Sequence, residues 1–75
     1  MTQAELFEPR ADECGALAAS QLRKAAEYAR AADVFMARGW TTLERDHRAR
    51  AVQHEQEAEV LAMYADFLRR SGVAL

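Results

Sequence analysis

Alanine recurs every seven residues along two separate stretches of this chain. The first line consists of Ala11, Ala18, Ala25 and Ala32, and the second consists of Ala51, Ala58 and Ala65. A further line follows three residues later in each stretch, so two positions in every seven share one helical face. This heptad pattern predicts two helices that pack side by side with a left-handed twist. Small side chains at the contact allow the two axes to approach closely.

The further line carries larger and partly polar residues. Its members are Cys14, Gln21, Tyr28 and Phe35 in the first stretch, and His47, His54, Leu61 and Leu68 in the second. If the turn centres near residue 40, facing residue numbers in an antiparallel pair sum to about 80. In that register Leu22 faces Ala58, and Ala19 faces Leu61. A large residue opposite a small one fills the space between helices well.

Signals for helix ends divide the chain. Pro9 suits the first turn of a helix, and Gly39 suits a helix C-terminus because glycine readily adopts the left-handed conformation. Thr41 followed by Glu44 matches a capping box, and Trp40 before it is placed to pack on the second helix as a hydrophobic staple. We predict one helical-hairpin domain at residues 9–72, with helix 1 at about 9–38, a turn at 39–41 and helix 2 at about 42–70. An N-terminal arm at 1–8 and a C-terminal tail at 73–75 flank this domain.

Composition limits how much core such a hairpin can bury. Hydrophobic residues make up 51% of the 75 residues, but 17 of them are alanine. Alanine forms helix readily and buries little apolar area. A short link between two long helices requires antiparallel neighbours. The predicted fold class is therefore all-α, an antiparallel two-helix hairpin with an alanine-rich, coiled-coil-like seam.

Several large side chains exceed what the contact between two helices can cover. We predict that six of them form an interface: Tyr28, Phe35, Val60, Met63, Tyr64 and Phe67. A homodimer that forms a four-helix bundle, or a larger oligomer, is the simplest way to cover them. Residues 38–50 carry four arginines against two carboxylates, whereas residues 55–66 carry four carboxylates. Two antiparallel copies of helix 2 would bring these unlike charges together, although a different protein partner could use the same pattern.

The two histidines raise the alternative of a metal site. Glu44 precedes His47 by three residues, and Glu57 follows His54 by three. Glu-x-x-His is the ligand pattern of di-iron helical bundles. The histidines are about 10.5 Å apart along one helix, so a shared divalent metal requires a second copy, in an antiparallel dimer centred near Ala51. Without metal, polar seam residues of this kind fix register. The capping box and the metal site compete for Glu44, and we predict the capping box and no cofactor.

Other classes of function receive less support. The segment "RGWTTLERDHRARA" at residues 38–51 is basic and aromatic, but the helices of a helix-turn-helix cross steeply, and Glu44 and Asp46 would repel phosphates. Cys14 follows Glu13, a neighbour that disfavours a reactive thiolate, and no glycine-rich phosphate loop occurs, so we predict no enzyme. No apolar run approaches the ~18 residues of a membrane span. The N-terminal residues also lack a signal-peptide pattern, so we expect a cytoplasmic protein without membrane contact.

These features predict a small, non-enzymatic helical interaction module. Such a module would act as an adaptor, co-chaperone, inhibitor or assembly subunit, through self-association and helix–helix contacts with a protein partner. The alternative is a metal-binding bundle with an inter-subunit Glu/His site. A nucleic-acid-binding regulator is the third reading.

Overall fold

The structure, a computed structural model, describes residues 10–71, and this part of the chain consists of two helices and a turn. Helix α1 spans Ala11–Ala37 and helix α2 spans Thr41–Ser71. The described residues contain no strand, and the two helices pack against each other along their length. The prediction of an all-α two-helix hairpin is confirmed. The predicted N-terminal arm, the predicted helix start at Pro9 and the C-terminal tail lie outside the described residues.

The start of α1 is capped by its own sequence. Arg10 has an extended backbone (φ −81°, ψ 166°), and its N–H donates to the Glu13 carboxylate over 3.2 Å. Asp12 and Glu13 place negative charge in the first turn, where the helix dipole favours it. These contacts fix the first described turn of α1.

The turn at residues 38–40 is a Schellman motif, with Gly39 in the left-handed conformation that the sequence predicted there. Gly39 has φ +74°, its N–H donates to the Met36 carbonyl over 3.0 Å, and the Trp40 N–H donates to the Phe35 carbonyl over 2.9 Å. The Trp40 ring lies 5.9 Å from the Phe35 ring, which is the hydrophobic contact that accompanies this motif. The guanidinium of Arg38 covers the indole at 5.1 Å.

The predicted capping box between Thr41 and Glu44 is wrong. The Glu44 N–H bonds to the Trp40 carbonyl over 3.0 Å, so Trp40 is the N-cap and Thr41 is the first helical residue. The Glu44 carboxylate instead accepts a hydrogen bond from Arg48 Nε over 2.9 Å. The Schellman motif also holds the Trp40 ring against Phe35 of α1. The predicted packing of Trp40 onto the second helix stays a prediction.

The seam between α1 and α2 follows the alanine lines. Its buried residues are Ala11, Cys14, Ala18, Ala25, Ala32, Ala51, Ala58, Ala65 and Leu68. Ala11 and Leu68, like Cys14 and Ala65, have numbers that sum to 79, and these four residues form one buried cluster. These sums agree with the predicted register, in which facing residue numbers sum to about 80. Leu22, which was predicted to face Ala58, lies outside the seam and is 54% exposed.

The hairpin is a single layer of helices. Its extents are 54 × 21 × 13 Å, and the smallest of them is close to the ~10–12 Å diameter of one helix with its side chains. A layer this thin has two open faces and no enclosed interior. Any apolar residue away from the seam is therefore exposed to solvent unless another molecule covers it.

Candidate interaction surface

Helix α2 carries a second apolar line outside the seam, near its C-terminal end. Val60, Met63, Tyr64 and Phe67, which we call the outer stripe, follow the spacing i, i+3, i+4, i+7 and so share one helical face. Val60 is 66% exposed, Met63 65% and Phe67 61%. The outer stripe therefore presents three large apolar side chains to solvent on consecutive helical turns.

Tyr64 connects the outer stripe to the seam. It is half-buried and packs against the buried cluster that contains Cys14 and Leu68. Its ring stacks on that of Phe67, with the centroids 6.3 Å apart and the planes at 16°. Tyr64 therefore links the exposed Phe67 ring to the buried cluster.

A shallow groove extends the outer stripe toward the N-terminus of α2. Gln53, Gln56, Glu57, Val60 and Leu61 line a space of about 390 Å³. The groove is open to solvent along the helix. Its shape is suited to the side chains of another helix, which fit into grooves of this kind when helices pack.

Charges of opposite sign lie at the two ends of the outer stripe. Glu57 and Glu59 precede it, and Arg69 and Arg70 follow it. Arg70 forms an ion pair with Asp66 one turn away, yet its side chain remains 79% exposed. The outer stripe thus has an acidic end and a basic end.

The six predicted interface residues do not lie together. Four of them form the outer stripe, but Tyr28 and Phe35 are half-buried in the seam near the turn. Tyr28 stacks on His54 at 5.4 Å and lies 5.5 Å from His47, and Phe35 meets His47 edge-on at 4.8 Å. The heptad line of Tyr28 and Phe35 was already visible in the sequence, and so was the spacing of the outer stripe. The heptad spacing of the first pair and the i, i+3, i+4, i+7 spacing of the outer stripe distinguish the seam residues from the stripe residues.

The predicted metal ligands are engaged with other groups in the chain. His47 Nδ1 lies 2.9 Å from the Leu43 carbonyl, His54 Nδ1 is hydrogen-bonded to Gln21 Oε1, and Glu57 lies 3.8 Å from His54. Within residues 10–71 of one chain, no three His, Cys, Asp or Glu side chains are placed to hold a metal ion. The predicted site spans two copies of the chain, and it stays a prediction.

Two of the four arginines near the turn are paired with carboxylates. Arg48 contacts Glu44 at 2.9 Å and Asp33 of α1 at 3.0 Å, and hydrogen bonds to Glu44 and then to Asp33 raise its pKa. Hydrogen bonding to Tyr28, followed by the charge of Asp46, raises the pKa of Arg50. The sequence reading missed the ion pair between Asp33 and Arg48 because it joins two helices. The charges of Arg48 and Arg50 are thus balanced within the chain.

Comparisons with known proteins add no assignment. A scan against protein-family models and searches of the curated proteins and of the solved structures found no match for this chain. Neither α1 nor α2 combines the length and apolar character that crossing a bilayer requires, a finding that covers residues 10–71.

Proposed function

We propose that this protein is a small, non-enzymatic helical interaction module that associates through the outer stripe. The observation that supports this proposal is the exposure of Val60, Met63 and Phe67, each above 60%. Burying a large apolar side chain fully is worth about 1.5–3 kcal/mol, so a helix that covers the stripe gains substantial free energy. The first association we expect is with another copy of the chain, which would make a four-helix bundle.

The open architecture supports a binding role over an enzymatic one. The shallow groove beside the outer stripe is open to solvent. A second groove near the turn, which is also open, is lined in part by Tyr28, His47 and His54. Enzyme sites usually enclose most of a small substrate, whereas helix–helix recognition needs only an accessible apolar line. Adaptor, co-chaperone, inhibitor and assembly-subunit roles all use such a line, with a protein partner in addition to self-association.

The two alternatives have less support in the described contacts. Glu44, which a metal site would need, is bonded to Arg48, and Arg48 and Arg50 are paired with carboxylates rather than left for phosphates. We therefore propose neither a metal-binding bundle nor a nucleic-acid-binding regulator.

The test is the mass in solution of the full chain and of its Phe67→Asp variant. We expect the wild-type protein to sediment as a dimer or larger species and the variant to sediment as a monomer with unchanged helicity, because a carboxylate cannot be buried cheaply in an apolar contact. Leu22→Asp is the matched control, since Leu22 is 54% exposed on α1 and should not change the mass. A wild-type monomer at tens of micromolar, or an unchanged mass for Phe67→Asp, would contradict the proposal.

A further inference from the structure

We infer that the occupant of the outer stripe is a second copy of this chain, whose α2 runs antiparallel across it with the two-fold axis between Met63 and Tyr64. This inference rests on the proposed function and specifies the partner, the direction and the register.

The apolar residues of the outer stripe are self-complementary about that axis. Val60 lies opposite Phe67 of the second copy, because the two positions are equidistant from the centre and only about 20° apart around the helix axis. A two-fold axis repeats this contact, so a smaller side chain meets a larger one at each outer position. Met63 and Tyr64 lie on opposite edges of the stripe beside the axis, where each meets its own counterpart in the second copy.

The charges at the ends of the outer stripe select the antiparallel direction. Glu59 and Arg70 are eleven residues apart, which places them on the same edge of the stripe, about 20° apart around the helix axis. They lie about 7 Å before and about 10 Å after the centre along that axis. In an antiparallel pair, Glu59 of each copy therefore approaches Arg70 of the other. A parallel pair would place Glu59 beside Glu59 and Arg70 beside Arg70.

The exposed apolar side chains favour this centre over the one near Ala51. The large apolar side chains of α2 nearest Ala51, Leu43 and Val52, are 44% and 50% exposed, whereas those of the outer stripe other than Tyr64 each exceed 60%. The shallow groove beside the outer stripe extends the proposed contact between the two copies. Gln56 lines this groove and lies opposite Ser71 of the second copy in this register. Both the apolar and the charged features therefore lie around Met63 and Tyr64.

The charge pairing is tested with two single variants, Glu59→Arg and Arg70→Glu. Each variant alone brings like charges together at both ends of its dimer, and we expect self-association to weaken about tenfold. In an equimolar mixture the unlike ends meet again, so the two variants should form a heterodimer, detected by sedimentation with one chain labelled. The double variant, which exchanges the two charges, should regain the wild-type dimer. Failure of the mixture and of the double variant to associate would overturn the antiparallel pairing.

Cross-linking tests the register independently of charge. In a Cys14→Ala background, a mixture of Gln56→Cys and Ser71→Cys should form disulfide-linked heterodimers on mild oxidation, while neither variant should link to itself. In the antiparallel pair, position 56 lies about 22 Å along the axis from position 56 of the second copy, too far for a disulfide. Self-linked dimers of each variant would instead show a parallel pair and overturn the inference.

The two proposals fail in different ways. An unchanged mass for Phe67→Asp removes the outer stripe as the association surface and the proposed function with it. Dissociation by Phe67→Asp together with a failed charge exchange and no mixed cross-link leaves the outer stripe in use and overturns only the antiparallel second copy.

Discussion

The half of the hairpin nearest the turn and the half farthest from it are held together by different contacts. In the turn half, residues 21–57, Gln21 and Tyr28 bond and stack with His54, and Asp33 pairs with Arg48 across the helices. The open half, residues 10–20 and 58–71, has at its centre a cluster of small and apolar side chains: Ala11, Cys14, Ala65 and Leu68. Directional polar contacts therefore dominate one half, and apolar packing dominates the other.

The most exposed large apolar side chains of the described residues lie in the open half. Large seam residues of the turn half, such as Tyr28 and His54, find partners within the chain. The seam of the open half is made mainly of alanine, which buries little area, while its largest side chains, such as Met63 and Phe67, lie outside in solvent. A two-helix chain can satisfy polar groups pairwise, but it cannot enclose two apolar lines on one helix. The open half thus carries the most exposed apolar side chains, and it is the half that the proposed association would cover.

The largest expected effect comes from overfilling the seam of the open half. Ala65 is 1% exposed, so Ala65→Phe would force the helices apart at the buried cluster, at a cost of about 3 kcal/mol. Because a domain this small has only a few kcal/mol of stability, we expect much of the helical circular dichroism to disappear at room temperature. Ala62→Phe is the control on an exposed position of the same half. Similar losses for both variants would show that seam packing does not hold the open half.

A smaller loss is expected at the turn. Gly39 has φ +74°, and a Cβ there would meet no atom within 4 Å, so Gly39→Ala tests the backbone conformation alone. We expect a loss of about 1–2 kcal/mol in the free energy of unfolding, measured by urea titration of Trp40 fluorescence. Gly39→Asn should lose less, because asparagine adopts the left-handed conformation more easily. Equal losses for the two variants would mean that conformation at Gly39 does not stabilise the turn half.

Sequence reasoning succeeded for features that depend on local periodicity. The seven-residue spacing of Ala18, Ala25 and Ala32 identified the seam, and these three residues are buried. The two helix ends beside Gly39 each differ from the predictions by one residue, because Gly39 is a strong stop. Spacing and helix propensity are properties of neighbouring residues, so they can be read without knowing how the helices meet.

The missed features depend on geometry between elements. Trp40 completes the Schellman motif at the end of α1 and is also the N-cap of α2. Thr41 is therefore not the N-cap, and the Glu44 carboxylate bonds to Arg48 instead. Tyr28 was assigned to the interface by size, although its contacts with the histidines of α2 place it in the seam. Each error arose where two segments share a residue or a contact.

The smallest effect should have the opposite sign and concerns the other described glycine. Gly15 lies in the interior of α1 in the open half, and a Cβ there would meet Arg69 Nη2 at 3.7 Å, an ordinary contact. Gly15→Ala should therefore stabilise the protein by about 0.5–1 kcal/mol, since alanine favours the helix interior. For a domain of this size we expect the melting temperature to rise by about 4 °C, measured by circular dichroism.

The matched comparison for Gly15→Ala is the same substitution at Gly39. One glycine weakens a helix and the other terminates one, so the first variant should raise the melting temperature and the second should lower it. The guanidinium of Arg69 is the end of a flexible side chain and can move aside for a methyl group, so no steric penalty should offset the gain. A fall in melting temperature for Gly15→Ala would mean that α1 and α2 approach more closely at Gly15 than this contact allows. The seam of the open half would then be held by close packing of the two helix backbones at Gly15.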